Sequence, residues 1–253
     1  MLDDDPSAPR AGDPLPPGAH WLYFLDPARQ SELASDGHPK RGPFLPPVPL
    51  PRRMWAGGRL EFLRALRVGA SVTRTSEIRD VTLKQGRTGA MVLVIVRHEI
   101  ADAEGVCLVE EHDILYRETP TPGAAAPPSK QAPSPGPWRR TIHPDPVLLF
   151  RYSALTFNGH RIHYDHPYAV GTEGYRGLLV HGPLIATLLM DLCRRDGGRA
   201  LAHFHYRAVS PLIAGEPFTI SATPSPDGDS AEVWAAGPDG ALAMSADASF
   251  AKR

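Results

Sequence analysis

The chain has 253 residues, 42% of them apolar and 22% charged, which suffices for a full core in one large domain or two small ones. Its 27 Lys and Arg against 28 Asp and Glu leave a formal charge of −1, so no global basic field exists to hold nucleic acid or an anionic membrane. Cys107, in a strand-like apolar run, and Cys193, in a helix-like one, suit reduced buried thiols better than a disulfide framework.

The first residues, Met1 to Pro6, lack the basic and apolar regions of a signal peptide. No run approaches the roughly 18 apolar residues of a membrane span, and the expected location is the cytoplasm. Proline is abundant at 28 residues and gathers in segments 1–19, 43–51 and 120–137. Leu60, Leu63 and Leu66 fall at helical spacing, so a short helix is expected over 59–68. Candidate strands follow at 71–83, 90–101 and 106–117, separated by turn signals at Gly86 and Gly89 and at 102–105.

The Pro/Ala-rich stretch has hardly an apolar anchor and reads as a linker. Beyond it, Leu184, Ile185, Leu188, Leu189 and Leu192 give a helix at 183–195 a single apolar face. Gly182-Pro183 suits its start, and Arg194-Arg195 followed by Gly197-Gly198 suits its end. A second meander is expected at 200–212, 217–223, 231–235 and 241–250. The expected architecture is α+β, two curved antiparallel sheets each wrapped around a helix. Its parts are an N-terminal half at 1–119, a linker at 120–138 and a C-terminal half at 139–253.

Three histidines, Asn158, Arg161 and Asp165 crowd into 156–166, and no core pattern explains them; a solvated polar loop is the alternative. Nearby, His181-Gly182-Pro183 opens the helix, where free amide N–H groups and the helix dipole favour an oxyanion. His160, His163, Asp165 and His166 are capable metal ligands, but their spacing matches no standard pattern and no metal is expected. Arg52, Arg53 and Trp55 read as solvated, as surface residues beside prolines usually are. Of His203 and His205, alternating with Phe204 and Tyr206, at least one should face solvent.

The stretch from Leu155-Thr156-Phe157-Asn158-Gly159-His160-Arg161-Ile162-His163-Tyr164-Asp165 to Glu173-Gly174-Tyr175-Arg176-Gly177-Leu178-Leu179-Val180-His181-Gly182-Pro183-Leu184 resembles the MaoC-like/hydratase-2 superfamily. The segments 36–39 (Asp-Gly-His-Pro), 42–47 and 50–58 are similar to the branch of mesaconyl-C4-CoA hydratases and type 2 hydroxyacyl-thioester dehydratases. The resemblance runs from about Trp21 onward. It implies a double hot-dog fold and a hydro-lyase acting on an enoyl thioester, with no cofactor, since CoA is part of the substrate.

Carried over residue by residue, the resemblance makes His163 the catalytic histidine. Asn158 stands where the superfamily has an aspartate, and an amide cannot exchange a proton at neutral pH. A variant mechanism is therefore implied, with Asn158 positioning water, His163 moving protons, and Gly182 and His181 meeting the thioester. Arg161, Tyr164 and Asp165 are candidates for substrate binding, although Arg161 could instead pair with Asp165 or Glu173. The first half lacks an equivalent motif, which makes it the substrate-shaping, non-catalytic half.

Mesaconyl-C4-CoA, hydrated to a methylmalyl- or citramalyl-type CoA, is the favoured substrate. A 3-hydroxyacyl thioester on acyl carrier protein and a non-catalytic acyl-CoA binder are the alternatives. A thioesterase ranks last, because Asp191 is the only acid in the helix. The expected partner is acyl-CoA, without nucleic acid or membrane, and a homodimer is compatible with this reading.

Overall fold

Antiparallel strands form the frame of this chain, and they begin earlier than the sequence suggests. The computed structural model describes residues 2, 9–25, 27–42, 44–86, 89–118 and 129–252. Its strands are β1 (Arg52–Phe62), β2 (Thr73–Gly86), β3 (Gly89–Asp102), β4 (Gly105–Arg117), β5 (Trp138–Ile142), β6 (Leu201–Ala208), β7 (Phe218–Pro224), β8 (Ser230–Ala236) and β9 (Leu242–Phe250). They form one antiparallel sheet of nine strands in the order β2-β3-β4-β1-β6-β9-β8-β7-β5. The two meanders expected as separate sheets are thus hydrogen-bonded edge to edge through β1 and β6, from Gly57 opposite Arg207 to Glu61 opposite His203.

The helix expected over 59–68 does not form, because Arg59 to Phe62 end β1. Ladders to β4 and β6 satisfy this backbone on both sides, and the pairing outweighs the helical spacing of three leucines. Only Leu60 enters the core, whereas Leu63 is 50% exposed. Gly57 and Gly58 make the junction possible. A Cβ would lie 2.6 Å from the Tyr206 carbonyl at Gly57 and 2.6 Å from the Glu111 carbonyl at Gly58. A bulge between Trp55 and Gly57 turns the strand there.

Three α-helices are present among the described residues, all in the second half: α1 (Pro146–Thr156), α2 (His166–Gly171) and α3 (Gly182–Asp196). Leu184 to Cys193 of α3 are buried on every side. Strands β5 to β9 cover one side, while Gly18, against Met190 and Thr187, reaches the other. Helix α1 was not foreseen. Asp145 caps it and Pro146 opens it, but Val147 and Phe150 face outward while Leu149 and Tyr152 face inward, so no single apolar stripe marks it.

In the first half, the inner face of the sheet meets a 3-10 turn, Ala19–Leu22, rather than a long helix. His20 is buried there, and Trp21 packs on Trp55 and His112. Of the Pro/Ala-rich stretch, residues 120–128 lie outside the described residues. The chain is followed again from Lys130, whose carbonyl accepts from Leu242 N, and Gln131, bridged to Ala241, into β5. Among the described residues, no helix is long and apolar enough to cross a membrane.

Candidate active site

The end of α1 sets the site. Phe157 takes a left-handed conformation, φ 51°, rare for a bulky residue and costly without support. Two hydrogen bonds hold the reversal: Asn158 N donates to Ser153 O at 2.9 Å, and Asn158 Oδ1 accepts from His160 N at 2.9 Å. One lone pair of the Asn158 oxygen is thus engaged, and the side-chain NH2 has no protein partner among the described residues' hydrogen bonds.

After a 3-10 turn, Arg161–His163, the ring of His163 enters the protein and its Nδ1 donates to Leu179 O at 2.8 Å. That bond fixes the neutral tautomer with its lone pair on Nε2. Burial drives the pKa of His163 down to about 3, only partly opposed by the Leu179 carbonyl. The ring lies flat on His181, with centroids 3.6 Å apart. His181 is fully buried and its Nε2 bonds the Ser153 hydroxyl at 2.8 Å. Its side chain thus supports His163, with the ring away from solvent.

A loop from the first half completes the cluster. Arg161 N donates to Asp36 O at 2.9 Å, and Gly37, at φ 89°, lies so close to Gly159 that a Cβ would overlap the Gly159 carbonyl oxygen. This docking brings the His38 ring to 4.1 Å from that of His160, which stands edge-on to His163 at 5.5 Å. Asp36 Oδ2 bonds His38 Nδ1 at 3.0 Å, and Asp36 Oδ1 accepts from His38 N at 2.9 Å. Burial opposes the Asp36 carboxylate, but these bonds outweigh it and hold its pKa below the usual range. Burial also drives His160 down to about 3, helped by the charge on His38.

A cavity of about 420 Å³ opens beside this cluster, lined by His38, Asn158, Gly159, Trp55 and Pro183. Gly182 begins α3, and its backbone packs against Trp55, where a Cβ would come within 3.2 Å of the ring. Pro183, the second residue of the helix, reaches the cavity lining.

The wall supplied by the first half combines apolar Phe24, Leu25 and Ile100 with a buried polar cluster. Glu110, 2% exposed, accepts from Trp21 Nε1 at 2.8 Å and meets His20 Nε2 at 2.9 Å and His112 Nε2 at 2.5 Å. Burial works against its charge, but His112 and His20 hold its pKa well down. His98, which bonds Ser76 Oγ at 2.7 Å, and Arg74 line the same wall. Burial and His112 lower His98 to about 4.

Other residues singled out from the sequence hold the loops. Arg161 gives Nε and Nη2 to Asp165 and Nη1 to Ser35 O, with its guanidinium 4.1 Å above Tyr168. Asp165 also caps α2 through Tyr168 N. Tyr164, exposed, donates to Gly159 O at 3.0 Å. His166 is exposed outside the cluster.

Arg52 is not solvated as expected: it pairs with Glu173 at 3.1 Å and bonds the Tyr175 hydroxyl at 2.7 Å. Trp55 is likewise a cavity wall. His203 and His205 both face solvent while Phe204 and Tyr206 are buried. Asp191 is engaged by Arg140, Arg194 and Arg195, so its oxygens are unsuited to thioester hydrolysis. Asp36, His38, Glu110, His112 and His20 were given no role by sequence reasoning; polar residues at inward positions of β3 and β4 were the available signal.

A profile of the hydroxyacyl-thioester dehydratase type 2 family matches residues 18–214. The chain is 50% identical over 245 residues to mesaconyl-C(4)-CoA hydratase of Chloroflexus aurantiacus, covering 97% of this chain and 87% of that protein. It is 28% identical to the mitochondrial hydroxyacyl-thioester dehydratase type 2 of Schizosaccharomyces pombe, covering 81% and 77% of the two.

Among solved structures, a MaoC-like dehydratase from Phytophthora capsici matches with TM-score 0.63 at 18% identity, over 83% of this chain and 77% of that one. A Mycobacterium tuberculosis protein described as a double hot-dog matches with TM-score 0.53 at 16% identity, over 94% and 82%. At these identities the likeness concerns the fold, and it agrees with a curved antiparallel sheet wrapped around a helix. By the profile match and the 50% identity, the chain belongs to the hydroxyacyl-thioester dehydratase type 2 family.

Proposed function

We propose that this chain adds water reversibly across the double bond of a short enoyl-CoA whose acyl group carries a free carboxylate, with mesaconyl-C4-CoA, hydrated to a citramalyl-type CoA, as the substrate. The observation that carries the choice of acyl group is the buried polar cluster in the cavity wall, where His20 and His112 bond Glu110 and His98 and Arg74 line the same space. A fatty acyl chain would bring these groups no polar partner of its own and would strip away water that they could otherwise meet. In mesaconyl-C4-CoA the carbon that receives the hydroxyl bears the carboxylate, which gives that wall a partner just beyond the reacting bond. The 50% identity to a mesaconyl-C(4)-CoA hydratase supports the same substrate.

In this mechanism the thioester carbonyl accepts from Gly182 N–H, where enolate charge develops; a donor so placed contributes about 3–4 kcal/mol in other enzymes. Asn158 donates its NH2 to the water oxygen and holds it over the β-carbon. His163, neutral with Nε2 free to accept, takes the water proton as the C–O bond forms. Buried free thiols at Cys107 and Cys193 suit the reducing cytoplasm.

The test follows the absorbance of the conjugated enoyl thioester with purified protein and mesaconyl-C4-CoA, crotonyl-CoA and crotonyl-acyl carrier protein in parallel. Loss of absorbance with mesaconyl-C4-CoA at a kcat/KM at least tenfold above the others is expected. Preference for the carrier-protein thioester would point to fatty-acid synthesis, and CoA binding without turnover of any substrate would make the chain an acyl-CoA binder.

A further inference from the structure

Hydration moves two protons, and Asn158 can move neither. One leaves water as its oxygen bonds to the β-carbon; the other joins the α-carbon as the π pair moves toward the thioester. We propose that His38, oriented by Asp36, is the second acid–base group of the site and delivers the proton to the α-carbon. This rests on the reading of the chain as an enoyl-thioester hydratase.

Three observations carry the assignment. His38 lines the cavity together with Asn158 and Gly159, so it can touch substrate. Asp36 bonds both its ring and its backbone, which fixes the tautomer that presents Nε2 away from the carboxylate and stabilises an imidazolium. The loop bearing both residues is built onto the catalytic turn, through Arg161 N to Asp36 O, Arg161 Nη1 to Ser35 O and the Gly37–Gly159 approach that only glycine permits. A loop whose purpose was to cover the surface would not require such registration with residues 158–161.

The two histidines also differ in their partners. His163 has only a neutral carbonyl for a partner and burial makes it a neutral base. His38 is likewise pushed down by burial, but Asp36 pulls it back up; Arg53 opposes and Glu173 assists, and His160 stands against its ring. Burial still leaves His38 below its ordinary value, but of the two rings it is the one with a carboxylate at hydrogen-bond distance to hold an imidazolium while a proton passes. Each hydration would leave His163 protonated and His38 neutral. His160, between them at 5.5 Å and 4.1 Å, is placed to return the proton. In the dehydration direction the same steps reverse: His38 takes the α-proton and His163 protonates the leaving hydroxide.

The experiment compares wild type with His38→Gln, His38→Ala and Asp36→Asn on mesaconyl-C4-CoA, and in reverse on the α-deuterated hydroxyacyl-CoA. His38→Gln is expected to lower kcat by about 10²- to 10⁴-fold, the usual weight of a general acid or base, with KM within about threefold, and to raise the α-deuterium isotope effect. Free imidazole should restore part of the activity of His38→Ala. Asp36→Asn, a change in the positioning residue, should move the basic limb of the kcat profile to lower pH, because an imidazolium without its carboxylate loses its proton more readily.

Retention of wild-type kcat, pH profile and isotope effect in His38→Gln would overturn the assignment. So would loss of wild-type activity on chelation with recovery on added zinc, since the Asp36, His38 and His160 donors lie within 4.8 Å of one another and would then be serving an ion. A wild type that hydrates no enoyl thioester overturns the functional reading itself, whereas an active wild type beside an unimpaired His38→Gln overturns only the part given to His38.

Discussion

His163 and His181 are stacked, their planes 18° apart and their centroids 3.6 Å apart. Two buried imidazoles at that separation disfavour each other's charge, and burial followed by the charge of His163 lowers the pKa of His181. The stack keeps His163 aligned, while its own burial, with His160 and His38, keeps it neutral. Replacing His181 by Ala removes the support and leaves the Ser153 hydroxyl without its partner. The expected result is a fall in kcat of about 100-fold, the scale of a small misplacement of a reacting group, with a smaller change in KM, measured by steady-state kinetics.

Gly182 is bound to its place by Trp55. A methyl group there would meet the indole at 3.2 Å, so Gly182→Ala should push the first turn of α3 away from the cavity and misdirect its N–H. The loss of one oxyanion donor predicts a fall of about 10²- to 10³-fold in kcat. Trp55→Leu should restore part of the activity in the double variant, and a double-mutant cycle measures the coupling.

Glu110 joins the first half's polar wall. It is buried and holds His20, His112 and Trp21. Glu110→Ala strands those groups, and breaking a buried pair in this way typically costs about 3–5 kcal/mol, to be read as a lowered urea midpoint. At temperatures where the variant remains folded, selectivity for mesaconyl-C4-CoA over crotonyl-CoA should fall.

Acid should unfold the protein earlier than its carboxylates alone require. His98 is lowered to about 4 and His160 and His163 to about 3, each first by burial. In the unfolded chain a histidine titrates near 6.5. Below that pH the unfolded state binds more protons, so stability contributed by these neutral rings is full above about 6.5 and drains away toward pH 3. Thermal unfolding midpoints recorded from pH 7 to pH 4 should fall across the whole interval. A midpoint flat down to pH 5 would contradict the buried neutral histidines.

The fold was legible where local signals agreed. Paired glycines mark the β2–β3 turn, and Pro183 with Gly197 frames α3. Where local and non-local signals conflict, the sequence misleads: three leucines at helical spacing concealed the end of β1, whose conformation is decided by partners at 107–117 and 201–208. The site divides in the same way. Asn158, His163 and Gly182 are near neighbours in sequence and could be read together. His38 and Asp36 lie more than a hundred residues upstream, and only their docking on Gly159 and Arg161 shows their part. Glu110 and His112 occupy the inward face of β4 after Leu108, a polar interruption that becomes meaningful once the cavity is seen in front of it.

The central claim is that His163, through a free Nε2, is the base that activates water. The most direct measurement is the initial rate of absorbance loss of mesaconyl-C4-CoA with wild type and with His163→Gln, at equal folded concentration. The account predicts a loss of at least about 10³-fold in kcat, since the amide cannot accept the proton and the oxyanion donor alone remains. A variant that hydrates the substrate within about tenfold of wild type would contradict it and assign the base to another residue.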